Sequence, residues 1–166
     1  RLDTAIQVCD STARPYHSGL VDVPLSMYPN TTDTDVLLVG GGDWIALDHL
    51  RRHNVSVDHV DIDAEFMQHA KTNSFLAEYH DSAYTYEHAQ TYQADIYDYL
   101  QRTDTQYDVI LLDLPGAKTD DLLSVYSTQF YRLLGDPLTE TGVIATWGYS
   151  QYTYPSHQKA YFNTVS

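Results

Sequence analysis

The sequence contains a single cysteine and no long apolar run. Because Cys9 has no partner within the chain, no intrachain disulfide forms, and nothing indicates a cross-linked secreted fold. No stretch reaches the ~18 consecutive apolar residues of a membrane-spanning helix, and no signal-peptide pattern is present. These features favour a cytoplasmic location. The chain begins at Arg1 instead of methionine, so we expect it to be a piece of a longer protein.

Basic residues are scarce. The 9 Lys and Arg stand against 23 Asp and Glu, which gives a net charge of −14. Such a charge repels nucleic-acid phosphates and anionic membranes, so we expect no nucleic-acid partner. The composition is compatible with a cationic small-molecule substrate, and a solvated acidic surface without any such ligand explains it as well.

The sequence has no recognisable set of metal ligands. His49 and His53 are four residues apart, a spacing that brings two side chains to one face of a helix. No cysteine and no third ligand joins them at a spacing typical of metal sites. We therefore predict no metal site.

The pattern of apolar residues divides the chain into two parts. Residues 1–30 have scattered apolar positions and turn residues, which predicts a lead-in of short strands and turns instead of helix. Over residues 31–166, segments of strand length alternate with helical patterns. This alternation predicts one Rossmann-like α/β domain with a mainly parallel, doubly wound sheet. A length of 166 residues suits one domain with a sizeable core.

The most informative motif is a glycine turn after an apolar strand. Val36 to Val39 are four apolar residues, and Gly40, Gly41, Gly42 and Asp43 follow them directly. Glycine permits positive φ angles and close approach of the backbone to a ligand, while the next helix, predicted at 44–53, offers its N-terminal amides. The motif indicates a cofactor loop, although similar turns also occur without a cofactor.

Acidic residues follow the other predicted strands as well. The strands predicted at 55–61, 90–94 and 107–112 are followed or closed by acids, and a fifth strand is predicted at 142–147. In a parallel sheet with strand order 3-2-1-4-5, all of these ends line one crevice, where ligands bind. A structural role as helix N-cap explains any one acid equally well. The acids are Asp43, Asp61, Asp63, Asp95 and Asp113.

These motifs, laid in order, make the chain resemble the spermidine synthase family of polyamine aminopropyltransferases, which share the fold of class I methyltransferases. The resemblance runs almost from end to end. It is carried by Leu2-Asp3 and Gln7, Tyr16-His17, Gly40 to Asp43, Asp61-Ile62-Asp63, Ala94-Asp95, Asp113, and Tyr126-Ser127 with Phe130-Tyr131.

The resemblance implies a role for each motif. Asp113 is implied as the catalytic base, and decarboxylated S-adenosylmethionine as the co-substrate, without a metal. The implied donor-binding residues are Gly40, Gly41, Gly42, Asp43, Asp61, Asp95 and Gln7. The implied acceptor-binding residues are Tyr16, His17 and Tyr126, which would bind a polyamine.

The sequence also departs from the family pattern. Trp44 and Ile45 replace two glycines, so we expect a reshaped donor pocket, and Ser18 replaces a glutamate. Gly116 replaces an aspartate three residues after Asp113. The Asp-Leu-Pro form at 113–115 looks like the branch of the family in which this domain is joined to a membrane-spanning part. A last helix is expected at 156–165, with the family's final two strands absent.

Three functions remain open on the sequence. Aminopropyl transfer to a diamine or polyamine follows from the resemblance. An S-adenosylmethionine-dependent methyltransferase would use the same sheet and the same ribose acid. A degenerate nucleoside-binding domain would keep the donor site without transfer. The exposed edge left at the fifth strand predicts a homodimer.

Overall fold

The computed structural model describes residues 10–27, 33–116, 123–148, 152 and 155–165. Its centre is a five-stranded parallel sheet with the order β3-β2-β1-β4-β5, which confirms the predicted topology. The strands are β1 Asp35–Gly40, β2 Ser56–Asp61, β3 Ala89–Gln93, β4 Tyr107–Asp113 and β5 Leu138–Thr146. β5 begins earlier than predicted, and its register against β4 shifts near its start.

Helices cover both faces of the sheet. They are α1 Asp10–His17, α2 Val23–Leu25, α3 Ile45–Arg52, α4 Ala64–Thr72, α5 Ser74–His80, α6 Ile96–Leu100, α7 Thr128–Gly135 and α8 Pro155–Val165. A π-helical turn, Ser18–Asp22, connects α1 to α2. Within the described ranges, no helix combines the length and the hydropathy needed to cross a membrane.

The core lies in two layers, one on each side of the sheet. Successive side chains of a strand point to opposite faces, and β1 shows this directly. Val36 and Leu38 pack with α3 residues such as Leu47 and Leu50 on one face. Leu37 and Val39 pack with residues of α6 and α7 on the other. Burial on both faces explains why β1 is apolar without alternation.

Short polar side chains begin the helices that follow the strands. The Asp63 carboxylate accepts a hydrogen bond from the Phe66 amide at 2.9 Å and so caps the start of α4. Ser127 caps α7 through a hydrogen bond from the Phe130 amide. Asn73 interrupts the helical segment after Asp63, because its side chain accepts hydrogen bonds from the Phe75 and Leu76 amides of α5. The sequence pattern did not indicate this interruption.

The prediction of strands in the lead-in segment is wrong for residues 10–25, which are helical. One apolar stripe of this segment, including Ala13, Leu20, Val21 and Leu25, packs into the core layer that contains α3. Burial of that stripe outweighs the turn signals of the prolines, and Pro24 stands in the first turn of α2, where proline is tolerated. Residues 1–9 and 28–32 of the lead-in lie outside the described residues.

Candidate active site

A cleft of about 510 Å³ lies at the carboxyl ends of the strands. This is the edge at which open parallel sheets bind ligands. Five aspartates line the cleft, and among the described residues that line it there is no lysine or arginine. They are the five predicted at strand ends: Asp43, Asp61, Asp63, Asp95 and Asp113. The site is therefore suited to a cationic ligand.

The glycine turn forms the floor of this cleft. Gly40 and Gly41 have φ angles of 79° and 76°, which favour glycine over other residues. The Gly41 amide donates a hydrogen bond to the Asp113 carbonyl at 3.1 Å, so the turn is fastened to the end of β4. A Cβ atom on Gly42 would lie 2.8 Å from Asp61 Oδ2. Asp113 and Asp61 therefore both lie against the backbone of the glycine turn, where no side chain intervenes.

Asp113 is contacted by two neighbouring residues of α1. The Tyr16 hydroxyl donates a hydrogen bond to Asp113 Oδ1 at 2.9 Å. His17 Nε2 lies 3.4 Å from Asp113 Oδ2, and its contact geometry falls short of a hydrogen bond. Burial lowers the pKa of His17, but the carboxylates of Asp113 and Asp43 outweigh burial and raise this pKa overall. Tyr16 and His17, both predicted for the acceptor site, thus meet the predicted base.

Asp43 lies at the start of α3. Its Oδ1 accepts a hydrogen bond from the Ile45 amide at 3.0 Å, and its side chain is buried. Burial, followed by the nearby charge of Asp113, raises the pKa of Asp43 to about 6. A cation placed between Asp43 and Asp113 would relieve this repulsion, because an opposite charge favours the ionised form of a carboxylate.

Asp61 and Asp95 lie on the other side of the glycine turn. Asp61 Oδ1 accepts a hydrogen bond from the Asp63 amide at 2.8 Å, while burial raises the pKa of the Asp61 carboxyl. Asp95 Oδ1 accepts from the Tyr97 amide at 2.8 Å, and the Asp95 side chain is exposed in the cleft. Both acids therefore have backbone partners that hold them in place.

One predicted site residue, Tyr126, is placed differently, and another, Gln7, is not described. Tyr126 does not line the cleft. Its hydroxyl donates a hydrogen bond to the Pro115 carbonyl at 2.9 Å, which holds the chain just after Asp113. Gln7 lies outside the described residues.

Trp44 does not fill the donor side of the cleft, in contrast to the expected reshaping. Its backbone is left-handed, with a φ of 69°, and its side chain is buried in the core layer that contains α3. The indole Nε1 donates to the Met67 carbonyl at 3.0 Å, and the ring packs edge-on against His59. The tryptophan thus adopts the backbone conformation that glycine would favour and directs its side chain into the core.

Sequence reasoning missed the apolar walls of the cleft. Ile62 is 67% exposed between two acids, and Phe66 lies one turn into α4. Tyr97 and Trp147 complete the opposite wall, where the Trp147 indole donates to the Leu114 carbonyl at 3.0 Å. Ile62 carried a usable signal, because an apolar residue between two strand-end acids faces the same crevice. Trp147 carried none.

The chain can be compared with known proteins. A family model described as the spermine/spermidine synthase domain matches residues 13–165. The chain is 29% identical to polyamine aminopropyltransferase 2 of Aquifex aeolicus over 146 residues, covering 87% of this chain and 29% of that protein. It is 31% identical to polyamine aminopropyltransferase 2 of Pseudomonas aeruginosa over 151 residues, covering 89% of this chain and 42% of that protein.

Solved structures show the same fold. A spermidine synthase in complex with the transition-state analogue AdoDATO superimposes with a TM-score of 0.78 at 22% identity, covering 90% of this chain and 50% of that one. Spermidine synthase from Thermotoga maritima gives a TM-score of 0.74 at 24% identity, covering 90% and 49%. The chain spans 29%, 31% and 46% of the length of three relatives it matches.

Proposed function

Because the chain belongs to the spermine/spermidine synthase domain family, we propose that its cleft transfers an aminopropyl group from decarboxylated S-adenosylmethionine to a diamine or polyamine. One observation carries the proposal. The carboxylates of Asp43 and Asp113 converge with His17 at the glycine turn, with one ligand atom of each residue within 4.8 Å of the others. Paired carboxylates in a cleft whose described lining residues include no lysine or arginine suit a substrate with several ammonium groups.

The donor would occupy the side of the cleft at β2 and β3. Asp61 is proposed to accept hydrogen bonds from the ribose hydroxyls and Asp95 from the adenine amine, since both carboxylates line the cleft. Ile62 and Phe66 provide apolar surface for the base. The aminopropyl ammonium would then lie beside Asp43, whose carboxylate is its natural counter-ion.

The transfer step needs an unprotonated amine. Alkylammonium groups have pKa values near ~10.4, so a base must take a proton before the nitrogen can attack. Asp113 is proposed as that base, with Oδ2 available because the Tyr16 hydroxyl is bound to Oδ1. The amine nitrogen attacks the carbon next to the sulfonium. The carbon–sulfur bond breaks, its electrons pass to sulfur, and methylthioadenosine leaves as a neutral thioether.

Methyl transfer from S-adenosylmethionine is the main enzymatic alternative. That donor carries a carboxylate in addition to its ammonium, and this carboxylate would meet Asp43. Repulsion between the two carboxylates disfavours binding of this donor. The described lining residues include no lysine or arginine that could neutralise the donor carboxylate. The lining thus favours the decarboxylated donor.

The test is a transfer assay with decarboxylated S-adenosylmethionine and several diamines. Asp113→Asn should reduce transfer by about 10²-fold or more, because the amide keeps the shape but accepts no proton. Methylthioadenosine affinity should be almost unchanged. Asp98→Asn is the matched control, because Asp98 is an exposed acid on α6 that does not line the cleft. Nucleoside binding without any transfer by the parent chain would establish the degenerate domain instead, and methylation with S-adenosylmethionine would establish the methyltransferase.

Three further expectations from the sequence, which concern assembly and location, are also proposals. They are a homodimer, a cytoplasmic location and attachment to a membrane-spanning part outside this sequence. The edge strand β5 supports the dimer, because in the part of the chain that the structure describes β5 pairs with β4 alone.

A further inference from the structure

His17 is held in an arrangement that is typical of a metal ligand. Its Nδ1 lies 2.7 Å from the Ala13 carbonyl oxygen. A carbonyl only accepts hydrogen bonds, so Nδ1 carries the proton, and the ring is fixed by its own helix. Metal-ligating histidines usually donate their second ring nitrogen in this way. In the neutral ring the other nitrogen, Nε2, then carries the lone pair, and it faces Asp113.

Nε2 of His17 has no hydrogen-bond partner although the side chain is only 3% exposed. It points into the acidic corner of the cleft, where Asp113 Oδ2 lies at 3.4 Å. A buried polar atom without a partner costs free energy, about 1–3 kcal/mol in mutational series. A ligand that accepts the Nε2 lone pair would remove that cost.

The three side chains around this corner lie close enough to converge on a small cation. Ligand atoms of His17, Asp43 and Asp113 all lie within 4.8 Å of one another. A tetrahedral zinc site with bonds of about 2.0–2.1 Å places its ligand atoms about 3.3–3.4 Å apart. The observed separation of 3.4 Å between His17 Nε2 and Asp113 Oδ2 agrees with this geometry.

Hydrogen bonds also orient both carboxylates. The Tyr16 hydroxyl holds Asp113 Oδ1, and the Ile45 amide holds Asp43 Oδ1. Such outer contacts fix the ligands of metal sites before the ion binds. The three residues are far apart in the sequence, on α1, before α3 and at the end of β4, so no spacing motif indicated them.

We propose that His17, Asp43 and Asp113 form a binding site for a divalent zinc ion, and that zinc and the acceptor amine exclude each other from the cleft. One imidazole nitrogen, two carboxylate oxygens and a fourth, open position form a donor set that zinc accepts. Metal binding itself does not depend on the proposed transferase activity. The competition with an amine does depend on it.

A second histidine cluster provides an internal control. Asp22 lies 2.9 Å from His53 Nε2 and 3.3 Å from His49 Nδ1. Its carboxylate also accepts a hydrogen bond from the Ser18 hydroxyl at 2.7 Å. All of these groups therefore have partners already, and His53 is more exposed than His17. This cluster should contribute little to zinc affinity.

The test is calorimetric titration of the metal-free chain with zinc chloride. We expect one zinc ion per chain, and His17→Gln should weaken the affinity by about tenfold or more. His53→Gln should leave the zinc affinity unchanged. If His17→Gln does not fold, Asp43→Asn tests the same site and should also weaken zinc binding. Circular dichroism checks the fold of each variant before titration.

The outcomes separate the two proposals. The metal site is overturned if the parent chain binds no zinc at millimolar concentration, if His17→Gln and Asp43→Asn both bind like the parent, or if binding is lost only in His53→Gln.

Competition is measured by repeating the titration with putrescine present, which should raise the apparent dissociation constant for zinc. Zinc binding that putrescine leaves unchanged would overturn the mutual exclusion and retain the metal site.

Discussion

Gly40 at the end of β1 lies directly opposite Asp113 at the end of β4, and a Cβ atom on Gly40 would overlap with the Asp113 carbonyl oxygen. The residue also has a φ of 79°. Two independent constraints therefore require glycine here. The same close approach places the Asp113 side chain above the turn, so the fold and the candidate base depend on one backbone contact.

The Gly40→Ala variant should be less stable by about 2–4 kcal/mol, because it combines backbone strain with a clash that β1 and β4 must move to relieve. Urea unfolding measures the difference. Gly135→Ala is the control, since a Cβ atom there meets nothing within 4 Å. It should be neutral or gain about 0.4–1 kcal/mol. Equal midpoints for Gly40→Ala and the parent chain would contradict this account.

The sheet was predictable because its signals are local. Four apolar residues before the glycines marked β1, and Asp63 marked the start of α4 through its own cap hydrogen bond. The positions of Asp61 and Asp113 at one sheet edge followed from parallel pairing alone. A parallel sheet brings all such strand ends together, whichever helices pack on it.

The contact partners of Asp113 were not predictable in this way. Tyr16 and His17 lie on a helix whose Pro15 indicated a turn, and the helix is stabilised because Ala13 and Tyr16 pack into the core layer that contains α3. The left-handed conformation of Trp44 likewise carries no local signal. It is stable because the indole packs against His59 and Tyr84. Long-range packing overrides propensity at both places.

Acid should destabilise the fold through His59. This histidine is fully buried, and burial lowers its pKa to about 4 from the ordinary 6.5. Between pH 6.5 and 4 the unfolded chain therefore binds more protons than the folded chain, so stability falls as the pH falls. The loss from this residue between pH 7 and pH 5 should be about 2 kcal/mol.

The measurement compares the free energy of unfolding at pH 7 and at pH 5 in the parent chain and in His59→Gln. The glutamine amide can still donate to the Gly40 carbonyl, which His59 Nε2 contacts at 2.8 Å. The variant should lose less stability on acidification, by about 2 kcal/mol. His88→Gln, at a half-exposed histidine, should behave like the parent. An identical pH dependence in His59→Gln would show that the histidine is not the cause.

Asp61 should account for part of the nucleoside affinity. Replacing it by alanine leaves the Asp63 amide without its acceptor and, in the proposed binding mode, the ribose hydroxyls as well. The affinity for methylthioadenosine should fall by about 1–3 kcal/mol. Calorimetry decides the matter, with Asp98→Ala as the control at an exposed acid outside the cleft. An unchanged affinity in Asp61→Ala would mean that the ribose binds elsewhere.

Gly116 lines the cleft three residues beyond Asp113. A diamine carries a second ammonium group, so a second carboxylate near Asp113 should attract it. Gly116→Asp should therefore bind putrescine more tightly, by about 1 kcal/mol for a partly exposed pair. Asparagine has almost the same size as aspartate but no charge, so Gly116→Asn is the matched control.

Calorimetric titration with putrescine should give different affinities for the two variants at low salt. The difference in affinity should shrink as salt is added, because ions screen exposed charges. If both variants bind putrescine equally, the second ammonium group does not lie near residue 116, and the acceptor must extend in another direction from Asp113.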